Sequence, residues 1–387
     1  MSRKITLWLC ALMLVLSAAL VGGCGGGGEK SGEESKSAGE GGEIKVGIAG
    51  PFTGAIAETG TTIKNAVLLA EEQVNKAGGI NGKQVKLDLQ DDKADPKEAA
   101  AVANKFASDK SILAVVGHYT SSTTLAGSPI YNRVGLSHIG IGCTSPAISD
   151  AGPFTYRDIT SDSYDGEFVA NWMIEEGFKN IAVAYENDDY GKGLAEVYKS
   201  KIESLGGKVV AIEPYNLGET KDFSAILTKF KAANPDSLFI AGQYNEAAML
   251  LKQGKGIGFK LPVFGSNGLY SDALIKLGGA EVEGLRCVGA FHKDSSSQEA
   301  KDFIEAYKAK YGLEPDIWAA YAYDAANILF EAIKNGGEDR TKINEYLTTL
   351  KDFNGATGVT SFDQNGDCMK DPLKLIIKDG KFALYQK

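Results

Sequence analysis

From residue 44 onward the chain alternates two hydrophobic rhythms. Ile44-Lys45-Val46-Gly47-Ile48-Ala49 is a short, mostly apolar run and predicts a buried strand. Thr61 to Lys76 carries Ile63, Ala66, Val67, Ala70 and Val74 at helical spacing. Ala77-Gly78-Gly79 marks its end, since glycine tolerates the backbone turn past a helix C-terminus. Gln84 to Gln90 alternates apolar and polar residues and predicts a strand. Asp95-Pro96 reads as a helix start, with Asp as the cap and Pro in the first turn. Ile112 to Val116 is a further short strand, and the rhythm returns at Ile181–Ala184, Val209–Ile212, Ser237–Ile240 and Pro262–Phe264. Alternating βα units build parallel sheets with helices on both faces, so the expected fold class is α/β, and the repetition predicts two such sheets. No Gly/Ser-rich linker separates the halves. Lobes without a linker are joined by strands crossing directly between them, which makes a hinge.

The N-terminus follows other rules. Arg3 and Lys4 precede an apolar run, Ile5 to Leu20, broken only by Thr6 and Ser17. Val21-Gly22-Gly23-Cys24 follows, with small residues just before a cysteine. This is the layout of a signal peptide, too short and wrongly flanked for a membrane span. The cysteine at the cleavage point reads as a lipobox, so Cys24 is the expected lipidation site and new N-terminus. Gly25 to Gly42 is Gly, Ser, Glu and Lys with almost nothing apolar, as a tether requires.

Composition narrows the function. The chain has 387 residues, and beyond about 250–300 residues a single core usually stops growing, so two domains are expected. Its net charge is −9, and removing residues 1–23, which carry Arg3 and Lys4 but no acid, makes the remainder more acidic. Nucleic acid wants a basic face and is not an expected partner. Beyond Cys10 and Cys24 stand Cys143, Cys287 and Cys368, with no C-x-x-C pair and no Cys/His cluster, so neither metal nor cofactor is expected. In an oxidising compartment one pair could bridge. The turn after the first strand, Gly47 to Gly54, lacks dinucleotide-binding spacing, and no Walker loop, nucleophile elbow or H-E-x-x-H occurs. The three histidines, His118, His138 and His292, are not spaced for a metal, and His118 reads as a lining or structural residue. Asp91-Asp92 and Asp188-Asp189 are adjacent pairs that point apart and read as solvated or capping charges. An enzyme is not expected.

The strand ends carry hydroxyls, glycines and aromatics instead. Val115-Val116-Gly117 runs into His118-Tyr119 and then five consecutive hydroxyl residues, Thr120 to Thr124. Ligands of open α/β sheets bind beyond the strand C-termini, and a helix N-terminus there favours an anion such as a carboxylate. One hydroxyl would satisfy a cap; five exceed that need. Ile139-Gly140-Ile141-Gly142-Cys143-Thr144-Ser145-Pro146 is a second such loop, whose glycines allow close backbone approach. Asn187-Asp188-Asp189-Tyr190-Gly191, Gly242-Gln243-Tyr244 and Gly265-Ser266-Asn267-Gly268 are the counterparts in the second half. That layout binds a small ligand between lobes, and it offers no nucleophile–base pair.

Several motifs closely resemble the type I periplasmic binding proteins, specifically the leucine/isoleucine/valine-binding family of ABC transporters. They are Gly50-Pro-Phe-Thr-Gly54, Asn75-Lys-Ala-Gly-Gly-Ile-Asn-Gly82, Asp91-Asp-Lys-Ala-Asp-Pro-Lys97, Gly117-His-Tyr-Thr-Ser-Ser-Thr123, Asp189-Tyr-Gly-Lys-Gly193, Lys221-Asp-Phe-Ser224 and Phe362-Asp-Gln-Asn-Gly-Asp367. They stand in family order from about residue 43 to the end. The resemblance implies two Rossmann-like lobes, a Venus flytrap, joined by three crossovers near Thr160, near Phe291 and between Gly366 and Pro372. The expected organisation is then 1–23 signal peptide, 24–42 tether, 43–160 with 291–366 as the N-terminal lobe, and 161–290 with 367–387 as the C-terminal lobe.

The resemblance also implies roles. Ser121, with backbone amides near it and at Thr144, is expected to hold a ligand carboxylate, with Ser122 beside it. Tyr119 and Gly142 are expected to line the same wall, and Tyr190 to close over the ligand from the second lobe. Asn267 stands where the family places an acid for the ligand ammonium, so Glu246 or Asp189 must supply that charge, or the ligand differs. Thr59 and Gln243 replace two family aromatics and predict a more polar pocket. The family's early disulfide is absent, with Ala94 and Thr120 at its positions; Cys287 and Cys368 lie beside predicted crossovers, where a disulfide is an option. The implied function is capture of a small amino acid (leucine, isoleucine, valine or similar) by a monomer lipid-anchored through Cys24, exported to the cell envelope, and delivery to an ABC permease. A sensor subunit for a membrane receptor and a binder of another carboxylate are the alternatives.

Overall fold

The computed structural model describes residues 42–294, 297–368, 370 and 372–386. The signal peptide, Cys24 and all of the tether except Gly42 lie outside the described residues.

The first lobe begins with β1 (Ile44–Gly50), α1 (Ala57–Lys76), β2 (Val85–Asp91), α2 (Pro96–Ser108), β3 (Ile112–Val116), α3 (Ser121–Arg133), β4 (His138–Gly140) and β5 (Thr155–Arg157). Their strands form one parallel sheet in the order β2-β1-β3-β4-β5. The helix starts are encoded locally: the Asp95 carboxylate accepts from the N–H groups of Lys97 (2.8 Å) and Glu98 (3.1 Å), with Pro96 in the first turn.

The second lobe follows with α4 (Asp162–Glu175), β6 (Asn180–Glu186), α5 (Asp189–Ser204), β7 (Lys208–Tyr215), α6 (Ser224–Ala233), β8 (Ser237–Ala241), α7 (Tyr244–Gly256), β9 (Val263–Gly265), α8 (Asp272–Gly278) and β10 (Arg286–Gly289). The chain then returns to the first lobe with α9 (Gln298–Tyr311), α10 (Ile317–Gly336) and α11 (Arg340–Thr348). Here α9 and α10 pack on α1, while α10 and α11 pack against β3. A hairpin, β11 (Phe353–Gly355) and β12 (Gly358–Thr360), precedes the last passage into β13 (Leu373–Lys378) and β14 (Lys381–Leu384). The second sheet runs β14-β13-β10-β9-β8-β6-β7, with a parallel core and an antiparallel edge at β13 and β14.

Both parallel cores share one strand order. In β2-β1-β3-β4-β5 and in β7-β6-β8-β9-β10, the winding reverses between the first and third strands. In open sheets of this kind ligands bind beyond the strand C-termini at such a reversal. The central strands β3 and β8 are buried at every position, as strands covered on both faces must be.

The periodicity locates β1, β2, β3, β6, β7, β8 and β9 to within a few residues. It did not reveal β4, β5 or β10 to β14; β4 (His-Ile-Gly) and β5 (Thr-Tyr-Arg) carry no apolar run, unlike the equally short β9. Cys143, Cys287 and Cys368 are all free and buried, so the optional disulfide between Cys287 and Cys368 is not formed. Cys287 is held in mid-strand opposite Leu375, while Cys368 bridges to Phe362; each thiol packs as a small apolar group.

The end of β3 reaches the end of β1 through Gly117, at φ +118°, where an added Cβ would sit 2.2 Å from the Ala49 carbonyl oxygen. Gly117→Ala is therefore expected to lower the unfolding free energy by about 1–3 kcal/mol through overpacking. Urea unfolding measures this, and an unchanged midpoint would contradict the close approach.

Candidate functional site

The first wall of the cleft is built from the end of β3. Thr120 caps α3, its Oγ1 accepting from the Thr123 N–H at 3.2 Å. The hydroxyls of Thr123 and Thr124 donate to the Thr120 carbonyl at 2.9 and 2.8 Å. Three of the five consecutive hydroxyls thus serve the helix itself, which leaves Ser121 and Ser122. Ser121 is fully buried, and its Oγ accepts from the Ser145 N–H at 3.1 Å, tying α3 to the loop after β4. Gly142 of that loop lies against Tyr119; a Cβ there would meet the ring at 2.6 Å. Thr144, fully buried, donates its hydroxyl to Asp162 at 2.9 Å.

Arg157, at the end of β5, fixes this loop. Its buried guanidinium donates to the carbonyls of Cys143 (3.3 Å), Thr144 (3.1 Å) and Ser145 (2.8 Å) and to the Ser149 hydroxyl (2.8 Å). Its Nε donates to Asp367 at 2.7 Å, on the last passage between the lobes. A planar fork with fixed donors holds a set of carbonyls in one geometry better than a flexible ammonium would.

The second wall approaches from the ends of β6, β8 and β9. Tyr190, in the first turn of α5, is buried and hydrogen-bonded to the Ser266 hydroxyl. Gln243 precedes α7 and accepts from the Tyr119 hydroxyl across the cleft at 3.4 Å. Ser122 donates to Asp188 at 3.3 Å and accepts from the Asp189 N–H at 3.2 Å, and Lys276 pairs with Glu58 at 2.9 Å. These contacts join the lobes in a closed arrangement. Thr59, on α1, is buried with its hydroxyl unpaired among the described residues. Asn267 is buried and donates from Nδ2 to Asp165 at 3.3 Å. The cleft therefore gathers Ser121, Ser122, Tyr119, Gly142 and Thr144 from one lobe and Tyr190, Gln243 and Asn267 from the other.

Several expectations need correction. Asp189 is exposed, so its backbone rather than its carboxylate meets the cleft. Glu246 needs no such correction: it is buried, accepts from the Gly218 N–H at 2.9 Å with one oxygen, and keeps the other unpaired among the described residues. Asp92 is fully buried and bonds to His118 Nδ1 at 2.7 Å, which makes it a core partner and not a solvated charge. His118 contacts Tyr131 through its other nitrogen at 3.1 Å, so it is structural. The residue types alone did not point to Arg157, Asp162, Asp165 or Glu186. The available signal was charge inside otherwise apolar surroundings, at Tyr156-Arg157-Asp158 and at the end of the β6 run. A surface cavity of about 680 Å³ lies elsewhere, against Tyr164, Thr357, Phe362 and Lys370, and includes none of the strand-end residues above.

The second wall is dominated by buried acids. Asp162, Asp165, Glu186 and Glu246 are all buried, and each has one oxygen without a hydrogen bond among the described residues. Burial raises all four carboxyls; Asp162 adds to the effect at Asp165, and Asp188 and Glu246 add to it at Glu186. Burial pushes Asp162 up to about 7. An acid raised on folding contributes its stabilisation fully below the unfolded value of about 3.9, and loses it as pH climbs through the folded value. The ligand-free closed form is therefore expected to lose melting temperature as pH rises from about 4 to 8, with Asp162→Asn flattening the loss over that window. Scanning calorimetry of stripped protein checks this; parallel curves for the two proteins would contradict it.

The geometry has counterparts among known proteins. The profile of the periplasmic binding protein family matches residues 43–375. The leucine-, isoleucine-, valine-, threonine- and alanine-binding protein of Pseudomonas aeruginosa is 36% identical over 349 residues, covering 89% of each chain. A Leu/Ile/Val-binding protein homolog of Brucella abortus is 34% identical, over 89% of this chain and 94% of its own. The leucine-binding protein LivK of Thermotoga maritima superposes with a TM-score of 0.83 at 31% identity, covering 89% of this chain and 98% of its own. LivJ of Streptococcus pneumoniae, solved in complex with isoleucine, gives a TM-score of 0.82 at 30% identity over 88% and 97%. With its profile match, its motif order and its two lobes closed over paired strand-end loops, the chain belongs to the periplasmic binding protein family, in the leucine/isoleucine/valine-binding branch, whose members bind solutes and are not enzymes.

Proposed function

We propose that this chain is an exported lipoprotein, anchored through Cys24, that captures a branched-chain or related small amino acid between its lobes and delivers it to an ABC permease. The observation that carries this reading is the polarity of the cleft. One wall offers the N-terminus of α3 and the Ser121 hydroxyl, suited to a carboxylate. The other offers buried acids with open oxygens, suited to an ammonium. An α-amino acid is the small solute that carries both charges on one carbon. Ser121 and the backbone around Thr144 hold its carboxylate; Tyr119, Gly142 and Ser122 complete that wall, and Tyr190 closes from the second lobe. Thr59 and Gln243 put polar atoms where the family has aromatics, so a short or hydroxylated side chain is accommodated beside aliphatic ones. The name of the Pseudomonas relative, which includes threonine and alanine, supports the same range.

A panel of the twenty amino acids, scored by thermal shift on stripped protein, tests this. A true ligand at one hundred times its Kd adds about 2.7 kcal/mol of stability. Ser121→Ala is expected to weaken that ligand by about 1.5–3 kcal/mol, the range for a hydrogen bond to a charged group, measured by titration calorimetry. No shift with any amino acid would overturn the reading.

A further inference from the structure

Position 267 is where the resemblance leads one to expect an acid, and it holds an amide. An ammonium enclosed without a carboxylate is costly, so the charge must come from elsewhere in the cleft. Asp189 is exposed. Glu246 accepts the Gly218 N–H, and Glu186 lies against Asp188, which itself caps α5 through the Gly191 N–H at 2.8 Å. Asp158, in the segment between β5 and α4, is buried with both carboxylate oxygens unpaired among the described residues, but it has no hydrogen bond to Thr144 or Asn267 there.

Asp162 and Asp165, both in the first turn of α4, are the buried acids bonded to the side chains of Thr144 and Asn267, two of the residues expected around the ligand. Asp162 and Asp165 are three residues apart, so they share one face of the helix. Asp162 is bound at one oxygen by the Thr144 hydroxyl at 2.9 Å, and Asp165 at one oxygen by the Asn267 amide at 3.3 Å. The second oxygen of each is buried and unpaired among the described residues. The nearby cation, Arg157, has its donors committed to the carbonyls of Cys143, Thr144 and Ser145, to Ser149 and to Asp367. Acids in a first turn complement the helix dipole, but that alone gives no reason to bury both with open acceptors. The carboxylate and ammonium of an α-amino acid are attached to the same carbon, so the two subsites must adjoin. Here they do: Ser121 accepts from Ser145, and the neighbouring Thr144 donates to Asp162.

We propose that Asp165, oriented by the Asn267 amide and with Asp162 beside it, supplies the counter-charge for the ligand's ammonium. The family acid has in effect moved from the loop after β9 to α4, and Asn267 has become a positioning residue that donates to the new acid. This inference rests on reading the cleft as an amino-acid site, and it restricts the solutes to those with a cationic amino group next to the carboxylate.

Titration calorimetry with L-leucine, L-valine and L-threonine tests it, using stripped protein and three variants. Asp165→Asn is expected to weaken whichever of these binds wild type best by about 100-fold or more, while the ligand-free melting temperature stays equal or rises because a buried charge is gone. Asp165→Asn combined with Asn267→Asp exchanges amide and acid, and is expected to recover affinity to within about tenfold of wild type. Asn267→Asp alone sets two carboxylates against each other and is expected not to tighten binding. Wild-type affinity in Asp165→Asn, or a tightening of tenfold or more in Asn267→Asp alone, would overturn the relocation and leave the amino-acid reading standing. If Asp165→Asn does not fold, the single Asn267→Asp variant still decides. If none of the three amino acids binds wild type, the amino-acid reading fails first and takes the inference with it.

Discussion

The guanidinium of Arg157 is the fixed point on which the cleft depends. A buried cation must be paired and hydrogen-bonded, because an uncompensated charge in the interior costs several kcal/mol. Each of the three guanidinium nitrogens of Arg157 has a partner: three consecutive carbonyls, one hydroxyl and Asp367. The same contacts do structural service. They freeze the loop after β4, which in turn presents Ser145 to Ser121 and Thr144 to Asp162. Through Asp367 they also tie that loop to the final passage between the lobes. Loop, hinge and ligand wall therefore share one anchor, and a displacement of any of them is felt by the others.

Around this anchor the charge of the cleft is uneven. The first wall offers neutral donors and a helix N-terminus, while the second buries carboxylates that each keep one oxygen without a partner among the described residues. Closure without a cation drives those acids toward their protonated forms, because burial penalises the charged state. A ligand that brings an ammonium reverses the penalty, so it favours the closed state through differential interaction, which is the only way a ligand can shift such an equilibrium. Hinge closure and ligand chemistry are in this sense one phenomenon.

Much of this was legible in the sequence, for identifiable reasons. The two parallel sheets followed from alternating βα units, and the hydroxyl run at the end of β3 stood out as more than one helix cap needs; the structure assigns Thr120, Thr123 and Thr124 to the helix and leaves Ser121 and Ser122 over. What stayed hidden depends on burial created by distant parts of the chain. Arg157 ends a three-residue strand, Thr155–Arg157, that carries no apolar run to mark it. Asp162 and Asp165 look like ordinary first-turn acids until β9, α5 and the loop after β4 close over them. Asp92, half of an adjacent acidic pair, becomes a core residue only because His118 arrives from a strand end 26 positions away. The departure at Asn267 was visible as a mismatch, but its resolution lay in a side-chain contact 102 positions back along the chain.

The most direct test of the account is mass spectrometry of the small molecule released when the protein, purified without added ligand, is denatured. The account predicts a single dominant α-amino acid with a short aliphatic or hydroxylated side chain, present in near-stoichiometric amount. A released carboxylate that lacks an amino group would contradict it, since nothing in such a ligand would neutralise the acids of α4.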